Sequence, residues 1–287
     1  MSLIINKKYE IIEKLGEGAF GKIFLGKNII TQEKIAVKID EGDKTMLKNE
    51  AILYNYLSNI SGVPKLYYYG NQGNFNYLIL ELLGKTLEDY KIECNNKFSL
   101  QTVLALGIQM LSRIESIHNK GIIHRDIKPE NFMMGLNTNS KILYLIDFGL
   151  AKLYLKNDKH IIKETQKTLT GTARYVSINV HNGISPSRRD DLESIGYLLM
   201  YFLCGNLPWQ GLKATNKLKK QEEIAKIKKE YKFWENNELP GEIILFINYA
   251  RNLEFEEKPN YLYLKNLLLN LYKEKQYKMS EYYDWLK

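Results

Sequence analysis

His124-Arg125-Asp126-Ile127-Lys128-Pro129-Glu130-Asn131 is the run on which the reading turns, and Asp147-Phe148-Gly149 follows with Asp147 21 positions after Asp126. Either run alone is a weak signal; their order and separation together are specific. Upstream, the first 80 residues read as strand-rich. Tyr9–Lys14, Lys22–Lys27 and Lys34–Ile39 are short runs of apolar and β-branched residues punctuated by Gly or polar residues. Residues 43–57 have helical spacing, and two more strands are expected near 65–69 and 76–81. After Gly84 the period lengthens. Ser99–His118 carries an apolar stripe from Leu100 to Ile117, with Ser99 as N-cap. Residues 190–204, 222–234 and 242–253 also read as helices. Leu145-Ile146 reads as a short strand leading into Asp147. The pattern predicts an α+β fold: a small β-rich half over 1–83, a connector, and a larger α-helical half over 84–287, with a cleft between.

The bulk numbers bound the class. A chain of 287 residues with 45% hydrophobic and 12% aromatic residues can bury a sizeable core and is not disordered in composition. The two cysteines, Cys94 and Cys204, form no close pair, which argues against a disulfide framework or zinc ribbon and fits a reducing compartment. Residues 1–9 lack the apolar run of a secretory signal, and no apolar stretch reaches membrane-spanning length. Net charge is +8, which attracts acidic partners. Lysines concentrate between Lys213 and Lys232, but Glu222, Glu223 and Glu230 interleave with them as on a solvated helix face.

Further motifs surround the opening run. Gly16-Glu17-Gly18-Ala19-Phe20-Gly21 precedes a strand beginning Lys22-Ile23. Glycines there let the backbone approach phosphates and present N–H groups. A strand after the glycines, instead of a helix, separates this pattern from a dinucleotide site. Ile35-Ala36-Val37-Lys38 follows on the next strand, and Glu50 on the next helix is the best partner for Lys38.

With these residues in order, the chain resembles the eukaryotic protein kinase superfamily and, within it, the casein kinase 1 family. The narrower resemblance rests on five runs: Leu169-Thr170-Gly171-Thr172-Ala173-Arg174-Tyr175 with Ser177-Ile178-Asn179 where most kinases carry Ala-Pro-Glu, residues 187–194, residues 207–213, Glu81-Leu82-Leu83-Gly84, and residues 112–118. It covers about residues 9–270. It implies a two-lobed protein kinase fold as one domain and Ser/Thr phosphorylation from ATP with Mg2+. Asp126 would accept or orient the substrate hydroxyl, Lys128 would meet charge developing on the γ-phosphoryl group, and Asn131 and Asp147 would hold the metal. The glycine-rich residues Gly16 to Gly21 would cover the phosphates. Lys38, paired with Glu50, would neutralise them. Ile23, Ala36, Leu80 and Ile146 would line the adenine slot, with Leu80 at its back, while Glu81 and Leu83 offer backbone groups.

The resemblance also implies a preference for acidic or pre-phosphorylated protein substrates. Arg174, Gln210, Gly211 and Lys220 match the anion pocket, though the run around Lys220 departs from the family and Lys217 or Lys219 could serve instead. Thr172 would lie near the substrate site, and none of Thr165, Thr168, Thr170 or Thr172 is marked as a switch. ATP-competitive inhibitors, a monomer, and a cytoplasmic or nuclear location are expected; a nucleic-acid partner is not. The rival reading is a catalytically silent scaffold with the same fold, disfavoured because every catalytic and metal-binding position is filled.

Overall fold

The computed structural model describes residues 3–18, 21–41, 44–278 and 283–286. Alternation organises the first part, because successive strand side chains point to opposite faces. Six antiparallel strands form one sheet in the order β1-β2-β3-β4-β6-β5: β1 (Ile4–Ile5), β2 (Tyr9–Gly18), β3 (Gly21–Asn28), β4 (Lys34–Asp40), β5 (Leu66–Gln72) and β6 (Phe75–Glu81). Ile35 and Val37 of β4 turn to one face and pack with Ile5, Tyr9, Tyr77 and Ile79. Ala36 and Lys38 turn to the other. Cross-strand register sets their neighbours: Ile23 pairs with Lys38, and Ala36 pairs with Leu80. Helix α1 (Lys44–Tyr56) packs against β5 and β6, burying Leu47, Ala51 and Tyr54.

The later part is helical: α2 (Leu87–Glu93), α3 (Leu100–Asn119), α4 (Ile178–His181), α5 (Arg188–Cys204), α6 (Lys217–Glu230), α7 (Gly241–Asn252) and α8 (Tyr261–Glu274). Helix α5 is buried from Arg188 through Phe202, so it is the central helix. A Cβ on its Gly196 would lie 2.7 Å from Ile247 Cγ1, so the missing side chain lets α7 approach closely. Ser99 caps α3 by accepting from the Thr102 N–H at 3.3 Å. No helix among the described residues is long and apolar enough to cross a membrane.

Two elements differ from the sequence expectation, and a third, α2, was not among the expected helices. Helix α6 begins at Lys217, not residue 222, because the Asn216 side chain accepts from the Lys219 N–H at 2.9 Å. Its first turns bury nothing, so apolar periodicity cannot reveal them. It also ends earlier, where Tyr231 turns extended and Phe233 buries its ring in a short 3-10 turn. Helix α2 is only seven residues long; its start is fixed by the reciprocal bonds between Thr86 and Asp89. The strand before Asp147 is Leu143–Leu145, leaving Ile146 just beyond it.

Chain contacts gather into two compact units: Met1–Lys85 with Met133–Gly149, and Thr86–Phe132 with Leu150–Lys287. In the first unit, the later segment is tied to the earlier one through the Gly84 N–H to Met134 O at 2.8 Å and the Leu145 N–H to Gly62 O at 2.8 Å.

Candidate active site

In the first unit, β4 and α1 bring a cation and two carboxylates together. Lys38 Nζ donates to Glu50 Oε2 at 2.8 Å and to Asp147 Oδ1 at 3.1 Å, with Lys38 and Glu50 nearly buried. Burial pulls Lys38 down, but the two carboxylates outweigh it and lift the ammonium above its ordinary pKa. Glu50 also moves up, to about 6, because burial and the neighbouring Asp147 charge outweigh the single ammonium it shares. Asp147 is held in the left-handed region at φ 63°, and its N–H donates to the Tyr54 hydroxyl at 3.0 Å. Tyr54 lies four residues after Glu50 on α1 and meets Phe148 edge-on at 5.1 Å between ring centroids.

The remaining first-unit candidates share this sheet face or border it. Ile23, Ala36, Lys38 and Leu80 lie on one face by register. The Glu81 N–H donates to Lys65 O at 2.9 Å, and its carboxylate accepts from Tyr144 Oη at 3.3 Å. Leu83 is buried, and among the described residues its N–H and C=O join no hydrogen bond. Gly16 pairs with Ile23, Glu17 with Lys22 and Gly18 with Gly21 across β2 and β3. A Cβ at Gly21 (φ 124°) would stand 2.4 Å from Ile39 O, so only glycine fits. Ala19 and Phe20 lie outside the described residues.

In the second unit, Asp126 is 5% exposed and takes hydrogen bonds from three side chains. Lys128 Nζ reaches its Oδ2 at 2.6 Å and Thr172 Oγ1 its Oδ1 at 2.7 Å. Asn131 Nδ2 donates to the Asp126 carbonyl at 2.8 Å and, more weakly, to Oδ2 at 3.4 Å. The loop itself hangs from a buried acid. Asp191, near the start of α5, accepts from the His124 N–H at 2.7 Å, the Arg125 N–H at 2.9 Å and His118 Nε2 at 2.9 Å. Burial alone would raise the Asp191 carboxyl, but His118 and the backbone N–H groups outweigh it and hold it below its ordinary value. Burial keeps His118 below its own ordinary value, so it donates to Asp191 as a neutral ring and accepts from Tyr261 Oη at 2.6 Å on Nδ1. Gly171 (φ 92°) completes the floor: a Cβ there would lie 2.4 Å from Arg125 O.

Arg174 is half-buried, with Nη1 donating to Tyr175 Oη at 3.4 Å and its carbonyl accepting from Trp209 Nε1 at 2.8 Å. That bond joins Arg174 to the turn carrying Gln210 and Gly211. Gln210 turns its side-chain oxygen back to the Leu207 N–H at 3.4 Å, and space is open beyond Gly211. Lys220 is exposed on the first turn of α6, and among the described residues its side chain forms no hydrogen bond or ion pair with this group.

Chemically, the second-unit cluster can orient a hydroxyl and receive its proton at Asp126 beside a fixed ammonium. Asn131 in the second unit offers an amide oxygen and Asp147 in the first unit a carboxylate, each a donor of the kind a hard cation takes. With Asn131 Nδ2 turned to Asp126, its amide oxygen faces the other way. Sequence reasoning did not single out Asp191, Tyr54 or Lys228. Tyr54 was legible as one turn from Glu50, and Lys228 as a lysine one turn from Ile224, the other buried residue of α6. Asp191 lies in the run 187–194, but nothing local showed its role, because its partners lie more than 60 residues away in sequence. The family model described as Protein kinase domain matches residues 9–268.

Proposed function

Because the chain belongs to the protein kinase domain family, we propose that it is a Ser/Thr kinase of the casein kinase 1 kind, acting on acidic or pre-phosphorylated proteins. As a protein kinase it uses ATP. The observation that carries the catalytic assignment is the Asp126 carboxylate, held at 2.6 Å by Lys128 and 2.7 Å by Thr172. A substrate hydroxyl would replace the Thr172 contact or share it. As the new bond from that oxygen to the γ-phosphorus forms and the bond to the β–γ bridging oxygen breaks, the hydroxyl proton passes to Asp126. ADP leaves with the bridging oxygen. Lys128 meets the charge on the transferred group. Mg2+, held by Asn131 and Asp147, would neutralise the phosphate oxygens. Lys38, steadied by Glu50, would do the same for the α- and β-phosphates, and the backbone of residues 16–21 would cover them. Ile23, Ala36, Leu80 and Ile146 would enclose adenine, with Glu81 and Leu83 offering it backbone groups.

The Ser/Thr assignment is supported by Lys128 two residues after Asp126. The anionic preference is supported by Arg174, whose guanidinium keeps a neutral hydroxyl as its partner while Trp209 fixes its backbone. Gln210, Gly211 and Lys220 would complete the pocket. The test is phosphate transfer from ATP-Mg to three peptides: phosphoserine three residues before an acceptor serine, alanine in its place, and a tyrosine acceptor. Asp126→Asn is the blank. Transfer to the primed serine peptide above both others is expected, with Arg174→Ala erasing the difference. Equal use of primed and unprimed serine would remove the anion pocket, transfer to tyrosine alone would remove the Ser/Thr assignment, and ATP binding without transfer would leave a scaffold.

A further inference from the structure

Lys228 is 0% exposed on α6, although lysines are almost never fully buried unless paired. Among the described residues no carboxylate forms an ion pair with it. Its Nζ instead donates to Ala173 O at 2.9 Å and Val176 O at 2.6 Å, and lies 3.2 Å from His181 Nε2. The rings of Tyr197 and Trp209 stand 4.9 and 5.4 Å away. Burial, reinforced by the Lys228 charge, pushes His181 down to about 3, so its ring stays neutral, and the same Nε2 also lies 3.1 Å from Ala173 O. Burial also pulls Lys228 well below its ordinary value. Charged or neutral, the amine keeps two N–H groups for the two carbonyls.

Those carbonyls bracket Arg174 and Tyr175. The segment is a turn closed on Thr172 O by the N–H groups of Tyr175 at 2.8 Å and Val176 at 3.1 Å. At its near end Thr172 touches Asp126; in its middle Trp209 Nε1 takes the Arg174 carbonyl. Side chains from outside the segment therefore hold its carbonyls at 173, 174 and 176, and Lys228 reaches two of those three carbonyls, sharing Ala173 O with His181.

We propose that Lys228 is a positioning residue: by tying Ala173 O and Val176 O it sets the turn that presents the Thr172 hydroxyl to Asp126 and the Arg174 guanidinium to substrate. The inference rests on the kinase reading of Asp126. It assigns Lys228 to the handling of the peptide and not of the nucleotide, since its hydrogen-bond partners Ala173, Val176 and His181 all lie in the segment that follows Thr172.

The experiment compares Lys228→Met, Lys228→Arg, Thr172→Val and the Lys228→Met/Thr172→Val pair in the full chain. Peptide kcat/KM, ATP KM and urea unfolding are measured for each. Lys228→Met is expected to lower peptide kcat/KM roughly 5- to 100-fold, the scale for buried carbonyls losing their donor. ATP KM should stay within about twofold. Lys228→Arg, which keeps donors, should recover part of the loss, and the double variant should be little worse than the more severe single one. If Lys228→Met does not fold, His181→Phe decides. It removes the ring that touches both Lys228 Nζ and Ala173 O while keeping the two Lys228 bonds to the carbonyls, and should give a smaller loss, again non-additive with Thr172→Val. Full additivity, or unchanged peptide kcat/KM in the folded variant, would overturn the assignment while leaving the kinase reading intact. A wild-type chain that transfers no phosphate would overturn both.

Discussion

Replacing Glu50 with Gln removes one of the two charges on Lys38 while keeping the side-chain volume and an acceptor oxygen. Two opposing quantities decide the outcome. The bond from the ammonium to Glu50, 2.8 Å long, contributes about 1.5–3 kcal/mol as a hydrogen bond to a charged group. Burial and the Asp147 charge outweigh it: the Glu50 carboxyl stands at about 6 instead of 4.5 with that bond already counted, a net unfavourable contribution of about 2 kcal/mol at neutral pH by linkage. Glu50→Gln removes the charge and keeps an acceptor, so stability at pH 7 should rise, by up to about 2 kcal/mol. Phosphotransfer should not be spared. Lys38 would keep the Asp147 carboxylate, 3.1 Å away, and be drawn toward the residue proposed to hold metal. A fall of roughly 10- to 100-fold in kcat/KM is expected from losing one charged hydrogen bond.

The pH dependence has a definite sign. Because the folded carboxyl titrates above its unfolded value, its contribution to stability is fully present below about 4.5 and is lost as pH rises through about 6. Asp190 is also pushed up by burial, to about 6, but it is unchanged by the substitution and cancels in the comparison. Urea unfolding of both proteins at pH 4.5, 5.5 and 7 should therefore show the wild type losing about 2 kcal/mol more than Glu50→Gln over that span. Parallel profiles, or a variant less stable than the wild type at pH 7, would mean that the ion pair outweighs burial and would refute the reasoning.

Thr172→Val deletes the 2.7 Å bond to Asp126 and should lower peptide kcat/KM about tenfold with ATP KM unchanged, read by steady-state kinetics. Tyr54→Phe removes the hydroxyl that accepts from the Asp147 N–H; it should cost about 1–3 kcal/mol in urea unfolding and raise ATP KM, and an unchanged KM would separate Tyr54 from the proposed metal-binding loop. Gly171→Ala puts a Cβ 2.4 Å from Arg125 O at a φ of 92°, so it should destabilise by roughly 2 kcal/mol or more and depress transfer beyond what the loss of folded protein explains.

Local pattern alone settled much of this protein. Period-2 alternation around Val37 and the apolar stripe of α3 are short-range consequences of backbone geometry, so strand and helix could be read residue by residue. The spacing of Asp126, Lys128 and Asn131 is likewise local, because all three sit on one short loop. What tertiary structure decided is contact across long stretches of chain. Lys38 and Asp147 meet across 109 positions, Asp126 and Thr172 across 46, and Lys228 reaches back 52 to Val176. Helix α6 shows the limit within one element: its exposed first turns carry no hydrophobic signal, and a side-chain cap at Asn216 sets the start. Asp191 and Lys228 show it for the site. A charged residue in a helix looks like surface until packing removes the water around it, and only then do backbone N–H and C=O groups from distant segments become its partners.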